Sequence, residues 1–374
     1  MVGMKDSEDT MNKLYALPAY KNHVARRKNK QTIMLGFSDG TKDGGYFKAN
    51  WSIYKTKESL TRVCTQNGVS ALFFDGRGGP PSRGGGKSHR FYAAQSNAIP
   101  NNEIQLTIQG QTITSNYGTQ EQFNYNCEQM ITAGLSKKYF AGKNDISKEQ
   151  RALLEKLSQL SFEKYDALKQ HPRFIGYLEN RSTLKYYSKA NIGSRPGKRG
   201  NKAKLELTDL RAISFVGSWS QLKQNVPGYF GTGTAISALI EDGYLEELKA
   251  LYTDVPLFKA LCSNSMMSLS KCYFELTNYM ADDTEYGDFW KILKAEYELS
   301  KKMMLLISGY DSLMQEEPIS KASIAIREKI VLPLLVIQQN ALQAVQKETE
   351  HLSEYEKLIV RSLYGNINAS INSA

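Results

Sequence analysis

The chain has 374 residues, of which 41% are hydrophobic, and this composition is ordinary for a globular protein and unlike that of a disordered one. Lys and Arg number 48 against 38 Asp and Glu, and the formal charge of +10 favours acidic small substrates, acidic partners or nucleic acid. No stretch is long and apolar enough to span a membrane, and the N-terminal residues lack the apolar core of a secretory signal, so we expect a cytoplasmic protein.

The first part of the chain alternates between helical and extended patterns. Residues 7–27 predict a helix that Pro18 breaks or kinks. Apolar runs then predict buried strands, and the helical pattern between the first two makes a βαβ unit of a parallel sheet. The predicted strands are residues 32–37, 69–74 and 103–109, with a polar turn at 38–45 and a helix at 45–65.

From about residue 119 onward the pattern is helical. Pro333 predicts a kink or an interruption in its helix, and residues 193–202, rich in Gly and positive charge, predict a mobile basic loop. We therefore expect an N-terminal helical segment at 1–30, strands with their loops at 31–118, and a helical body at 119–374. Apolar residues at helical spacing indicate core faces at Leu153, Leu157 and Leu160, at Ile236, Leu239 and Ile240, and at Trp290, Leu293 and Tyr297.

Residues 76–87, here called the glycine-rich loop, follow the second predicted strand and contain six glycines. Glycine lets a backbone approach a ligand closely, and Arg77, Arg83 and Lys87 supply positive charge suited to a phosphate or carboxylate. The composition alone fits a disordered basic loop equally well. The strand before the loop favours an anion-binding site, because loops at the carboxyl ends of parallel strands commonly bind ligands.

Other candidate site residues lie in separate segments. Asp39, in the first strand-end turn, is the only evident metal-ligand candidate among the strand-end loops, and Lys42 suits a phosphate contact or an acid/base role. Arg211 stands in an apolar setting and needs an anion or a structural carboxylate partner. The four cysteines and four histidines show no CxxC or HExxH spacing, so we expect reduced thiols and no histidine-based metal site. These residues indicate an α/β protein that binds a phosphorylated or carboxylated small molecule.

Four segments in this order, residues 36–45, 75–86, 193–199 and 210–213, resemble the phosphoenolpyruvate carboxylase family. The resemblance implies a predominantly helical α/β chain that forms the C-terminal part of a (β/α) TIM-type barrel with many added helices. It also implies a lyase that joins phosphoenolpyruvate and bicarbonate to give oxaloacetate and phosphate, with Mg²⁺ or Mn²⁺. Members are usually homotetramers and respond to aspartate or malate.

The resemblance implies a role for each matching residue. Asp39 resembles, by its position in the motif, a metal ligand of the family. Lys42, Arg83 and Arg195 resemble catalytic residues of the family in the same way. Arg77 and Arg211 resemble the arginines that hold the substrate phosphate. The effector site for aspartate or malate is implied at Lys271, Arg327 and Asn372, with Arg83.

The chain also departs from the family pattern. It is shorter than its relatives and lacks the stretch that would hold a catalytic histidine, and Asp75 stands where many relatives carry histidine. We therefore expect a C-terminal fragment that is inactive alone. One alternative is a noncatalytic, dicarboxylate-binding subunit or remnant. A weaker alternative is a nucleic-acid binder with Phe91 and Tyr92 as stacking groups.

Overall fold

The computed structural model describes residues 6–77, 79–108, 111–139, 145–190, 205–347 and 350–370, which form a predominantly helical α/β protein. The strands are β1 (Lys30–Leu35), β2 (Ser70–Asp75) and β3 (Gln105–Leu106). The α-helices are α1 (Ser7–Ala16), α2 (Pro18–Arg26), α3 (Phe37–Gly44), α4 (Tyr46–Gln66), α5 (Ser88–Ala93), α6 (Gln111–Tyr117), α7 (Gln120–Tyr139), α8 (Lys148–Gln170), α9 (Phe174–Arg181), α10 (Ala212–Gln221), α11 (Thr232–Glu241), α12 (Leu245–Asp254), α13 (Pro256–Ser270), α14 (Gly287–Ser308), α15 (Pro318–Gln346) and α16 (Leu352–Ser370). Short 3₁₀ helices cover Pro81–Arg83, Leu184–Ser188, Leu207–Asp209, Val226–Gly228 and Phe274–Asp282.

The strands form one parallel sheet in the order β1-β2-β3, as the βαβ pattern predicts. Leu35 is paired with Asp75, and Asp75 with Leu106, so the carboxyl ends of all three strands lie at one edge. The third strand is much shorter than the predicted 103–109. The sheet has three strands within the described residues.

The segment predicted as a polar turn at 38–45 is instead the helix α3, and the turn prediction is wrong. Gly40 and Gly44 lower the intrinsic helix propensity here. The fully buried ring of Phe37 anchors the first turn, and Asp39 near the start and Lys42 near the end have the charges that the helix dipole favours. Gly45, with a φ of 75°, ends the helix.

The predicted break at Pro18 is confirmed, because Leu17 is extended and separates α1 from α2. The helix predicted at 45–65 is α4, which buries one face against the sheet and α8.

In contrast, the helix predicted to be kinked or interrupted at Pro333 is α15, which continues through this residue without interruption. All four cysteines are free thiols.

The apolar interior is made of two large clusters. Core 1 contains Trp51, Leu157 and Phe258, and core 2 contains Phe174, Trp219 and Phe289. The side chains of Cys272 and Tyr297 pack against both cores. The stripes predicted as core faces are confirmed, since each contributes buried or half-buried side chains to these clusters.

Within the described ranges, no helix combines the length and the apolar character needed to cross a membrane. The division of the chain at residues 30 and 118 stays a prediction. The basic loop predicted at 193–202 lies entirely outside the described residues, and so do Arg195 and Asn372.

Candidate functional site

The carboxyl edge of the sheet brings the two strand-end segments together. The backbone N–H of Gly76 donates to the carbonyl of Leu35, 2.9 Å away, so the chain leaves β1 and β2 side by side. From there α3 packs against the 3₁₀ turn Pro81–Arg83, and the Ser38 hydroxyl donates to the carbonyl oxygen of Arg83 at 3.2 Å. This edge therefore carries both the α3 residues and the glycine-rich loop.

Lys42 connects α3 to the segment that precedes α10. The residue is 5% exposed, and its ammonium donates to the carbonyl oxygen of Leu210 at 3.2 Å and lies 3.3 Å from the Asp43 carboxylate. Arg211, the next residue after Leu210, is half-buried at the N-terminus of α10. The structure therefore brings the segments of Lys42 and Arg211 together.

The glycine-rich loop is held in a tight conformation that larger residues would not fit. A Cβ atom on Gly85 would lie 2.0 Å from the carbonyl oxygen of Gly79. A Cβ atom on Gly86, which has a φ of 104°, would lie 2.2 Å from the Asn264 amide oxygen. The described part of this loop is thus packed against the body of the protein, in contrast to a disordered basic segment.

The buried side chain of Arg77 holds the glycine-rich loop through hydrogen bonds. Its guanidinium donates to the carbonyl of Gly85 and the hydroxyl of Ser88, each at 2.9 Å, and stacks 4.3 Å from the ring centre of Phe91. The side chain is 2% exposed, and burial lowers the pKa of the Arg77 guanidinium. Because Arg77 also lines a cleft, the same guanidinium can reach a bound anion if the loop carbonyls release it.

Arg83 is also buried, with 3% of its surface exposed. Burial lowers the pKa of the Arg83 guanidinium, and the nearby Tyr187 and Asp39 oppose that effect. Asp39 is exposed in the first turn of α3. The predicted catalytic arginine and the predicted metal ligand are therefore close enough for the charge of Asp39 to act on the Arg83 guanidinium.

A cleft of about 500 Å³ opens on the other side of the glycine-rich loop. Five basic side chains line it: Arg77, Lys87, His89, Lys271 and Arg327. Burial, Lys223 and Arg327 lower the pKa of Lys271 to about 8, while Glu328 opposes the shift. Burial and the neighbouring Arg90 and Lys87 lower the pKa of His89. Two of the predicted effector residues, Lys271 and Arg327, thus face one cleft, whereas Arg83 is not among its lining residues.

The described residues do not form a complete metal site. They include no group of three or more His, Cys, Asp and Glu side chains placed to hold an ion. Asp39 is an exposed single carboxylate, and Mg²⁺ usually needs a second carboxylate or substrate oxygens. We therefore assign no step to a metal ion.

Sequence reasoning missed a buried polar group beneath the loop. The ammonium of Lys57 lies 2.6 Å from the Asp75 carboxylate, and the Tyr92 hydroxyl donates to the same oxygen at 2.7 Å. One signal for this group was present, because Lys57 interrupts the apolar face of α4 between Ile53 and Leu60. Tyr92 and Phe91 are 2% and 1% exposed, so neither ring is available for the base stacking that a nucleic-acid binder would need.

Comparison with known proteins agrees with the motifs at this edge. A family model described as phosphoenolpyruvate carboxylase matches residues 2–372. A phosphoenolpyruvate carboxylase from Corynebacterium glutamicum is 34% identical over 367 residues, which cover 94% of this chain and 40% of the relative. One from Corynebacterium efficiens is 34% identical over 352 residues, covering 91% and 38% respectively. The chain thus spans about 40% of the length of these curated relatives. It belongs to the phosphoenolpyruvate carboxylase family.

Proposed function

We propose that this chain contributes the phosphate-binding part of a site that carboxylates phosphoenolpyruvate with bicarbonate, giving oxaloacetate and phosphate. The observation that best supports this proposal is the collection of buried cationic side chains at one edge of a parallel sheet. Lys42, Arg77 and Arg83 are each 5% exposed or less, and so much positive charge collected in one buried place suits an anionic ligand. The similarity to proteins named phosphoenolpyruvate carboxylase supplies the identity of the anion.

The proposed chemistry relies on positive charge that is fixed before the reaction. Negative charge spreads over the phosphoryl oxygens as the phosphoryl group moves from phosphoenolpyruvate to bicarbonate. In the proposal, Arg77 and Arg211 bind those oxygens, while Lys42, Arg83 and Arg195 stabilise the charge that develops in the transition state. Arginine suits the phosphate role because its planar fork binds two oxygens at once.

The finer family features are also part of the proposal. We propose that the three-stranded sheet belongs to a (β/α) barrel, that the protein acts in the cytoplasm as a homo-oligomer, and that Mg²⁺ or Mn²⁺ takes part. Asp39 would then be one of several metal ligands, the others coming from outside the described residues or from the substrate. Loss of Mn²⁺ binding in Asp39→Ala, measured by electron paramagnetic resonance, would support this role.

A noncatalytic, dicarboxylate-binding role is the second candidate. The presence of Lys271 and Arg327 in the lining of one cleft favours it, because two cations in one pocket suit the two carboxylates of aspartate or malate. Calorimetry with aspartate and with phosphoenolpyruvate separates the two roles. Binding of aspartate without binding of phosphoenolpyruvate would support the second role and contradict the first.

The decisive experiment is an assay of oxaloacetate formation from phosphoenolpyruvate, bicarbonate and Mg²⁺. The chain is assayed alone and after mixing with the remaining segment of a relative. We expect activity in at least the mixture, and a loss of at least about a hundredfold in Arg77→Ala because removal of a transition-state charge contact typically costs that much.

Arg62→Ala is the matched control. Arg62 is an exposed arginine that pairs with Glu8 at 2.8 Å, so its loss changes the net charge without touching the site. We expect the control to retain activity. Absence of turnover in both assays, together with no measurable binding of phosphoenolpyruvate, would show that the proposed function is wrong.

A further inference from the structure

Three polar side chains are buried together beneath the glycine-rich loop. Lys57 comes from α4, Asp75 ends β2, and Tyr92 comes from α5, and they are 1%, 0% and 2% exposed. One carboxylate oxygen of Asp75, Oδ2, accepts both the Lys57 ammonium at 2.6 Å and the Tyr92 hydroxyl at 2.7 Å. The group joins the two helices to the end of the central strand.

Stability is a weak reason for a protein to have this group. Burying two charges is unfavourable, and their attraction offsets the lost hydration only when the geometry is good. Lys57 is surrounded by the rings of Phe73, Phe91 and Tyr92, whose centres lie 5.3–5.5 Å from its ammonium. Burial lowers the pKa of Lys57, and the Asp75 carboxylate opposes that change. Hydrophobic side chains of similar size would fill the same space without this opposition.

The position of Asp75 lets its charge act on Arg77. It lies two residues before Arg77, and its negative charge acts on the Arg77 guanidinium, where it opposes the effect of burial on the pKa. The second carboxylate oxygen of Asp75, Oδ1, is buried without a hydrogen-bond partner among the described residues. The same holds for Nε of Arg77. Without Lys57, Arg77 would therefore be the cation nearest in sequence for Asp75 to bind.

We propose that Lys57 is a positioning residue, which binds Asp75 and so leaves the charge of Arg77 available to the glycine-rich loop and to an anionic ligand. An unpaired Asp75 would neutralise Arg77 and repel an anion. The two cations lie against one ring, because Phe91 is 5.5 Å from the Lys57 ammonium and 4.3 Å from the Arg77 guanidinium. The inference rests on the proposed function in one respect, that the anion is phosphoenolpyruvate.

The test measures anion affinity in a set of four variants of the full chain: Lys57→Met, Asp75→Asn, the double variant, and Lys55→Met. Lys55 lies on the same helix and pairs with the surface residue Glu155, so it is the matched control for loss of a lysine. Phosphoenolpyruvate and inorganic phosphate are the probes, titrated by calorimetry from pH 6 to 9. Thermal unfolding of each variant is recorded in parallel.

We expect Lys57→Met to weaken binding of both anions by at least about tenfold at pH 8, the effect of about 1.4 kcal/mol of lost attraction. Asp75→Asn and the double variant should bind as the unsubstituted chain does, because neither leaves a carboxylate that could neutralise Arg77. Lys55→Met should bind normally at every pH.

Several results would overturn the inference. A purely structural role predicts lower melting temperatures in Lys57→Met and Asp75→Asn with unchanged anion affinity. A loss of affinity in Asp75→Asn as large as that in Lys57→Met would contradict the idea that Lys57 acts by compensating the charge of Asp75. If Lys57→Met alone does not fold, the double variant decides, because it should fold and bind normally; weak binding by a folded double variant would refute the proposal.

Failure of the proposed function gives a different pattern. If the unsubstituted chain binds neither anion, the phosphate-site proposal is wrong, and the effect of Arg77→Met on melting temperature then tests the inference. In the Lys57→Met background Asp75 should rely on Arg77, so Arg77→Met should lower the melting temperature more than it does in the unsubstituted chain. An equal effect in both backgrounds would overturn the positioning role.

Discussion

At the scale of single residues, burial lowers the pKa values of several basic groups in this protein, with different effects on their charge. Arg77 and Arg83 keep their charge although burial lowers their pKa values, because a guanidinium remains protonated far above neutral pH. Lys271 differs, since its pKa falls to about 8, close to physiological pH. The cleft therefore combines permanent cations with two side chains, Lys271 and His89, whose pKa values are lowered.

We expect dicarboxylate binding in the cleft to depend on pH through Lys271. Below pH 8 the ammonium form attracts a carboxylate, and above it the neutral amine does not, so aspartate affinity should fall as pH rises and approach a tenfold loss per pH unit well above the pKa. Calorimetric titration of aspartate between pH 6.5 and 9.5 measures this change.

Lys271→Arg is the control for this prediction. An arginine keeps its charge over the whole range, so the variant should bind aspartate without the decline above pH 8. His89 also faces the cleft, but its lowered pKa puts its titration on the acid side. A decline that persists in Lys271→Arg would assign the titration to another group.

At the scale of elements, the site is built from the helix α3 and the glycine-rich loop, which pack against each other. Gly84, with a φ of 74°, lies against α3, where an added Cβ would come within 2.9 Å of Phe37 and Thr41. The conformation of the glycine-rich loop therefore depends on close packing against α3.

Gly85→Ala should disrupt this loop. The added methyl group would meet the carbonyl oxygen of Gly79, a backbone atom that cannot rotate away. We expect a loss of about 1–3 kcal/mol in the free energy of unfolding and at least tenfold weaker binding of phosphoenolpyruvate. Chemical denaturation and calorimetry measure the two effects.

Gly134→Ala serves as the comparison, because its nearest neighbour would be 3.8 Å from the new methyl group and alanine favours the helix α7. It should leave binding unchanged and the stability equal or slightly higher. If the two variants behave alike, close packing is not what fixes the glycine-rich loop.

Local patterns were enough to predict β1, β2, α4 and the break at Pro18, because each depends on apolar spacing or on proline geometry. They failed for α3, where the burial of Phe37 outweighs the low helix propensity of two glycines. Charge and glycine content near the strand ends were enough to find Asp39, Lys42, Arg77 and Arg83, whereas Lys271, Arg327 and Asn372 were found only through the resemblance to a family. The Lys57–Asp75 contact was not found, because it joins a helix to a strand end 18 residues away and only the fold brings the two together.

At the scale of the whole molecule, the two cores are linked by a buried carboxylate as well as by shared apolar contacts. Glu296 of α14 accepts the backbone N–H groups of Gly231 and Thr234 at the start of α11, each at 3.1 Å. Ile236 and Leu239 of α11 belong to core 1, whereas Phe289 at the start of α14 belongs to core 2. This contact satisfies amide groups that a helix start leaves without partners.

We expect the two cores to unfold together. Tryptophan residues report on each core, since Trp51 lies in core 1 and Trp219 and Trp290 lie in core 2. In Trp51→Phe the remaining tryptophans report on core 2, and in the double variant Trp219→Phe/Trp290→Phe the remaining tryptophan reports on core 1. In each variant, denaturant unfolding followed by fluorescence should have the same midpoint as unfolding followed by circular dichroism. Separate midpoints for circular dichroism and fluorescence within one variant would contradict this expectation.

The contact between Lys57 and Asp75 also limits how the chain can change during evolution. Loss of either partner alone leaves a buried charge without compensation, which typically costs about 3–5 kcal/mol and removes a large fraction of the stability of a domain. We therefore expect the two positions to change together among related chains, because a change at one position alone lowers the stability. An aspartate at the end of β2 thus carries information about a lysine on another element.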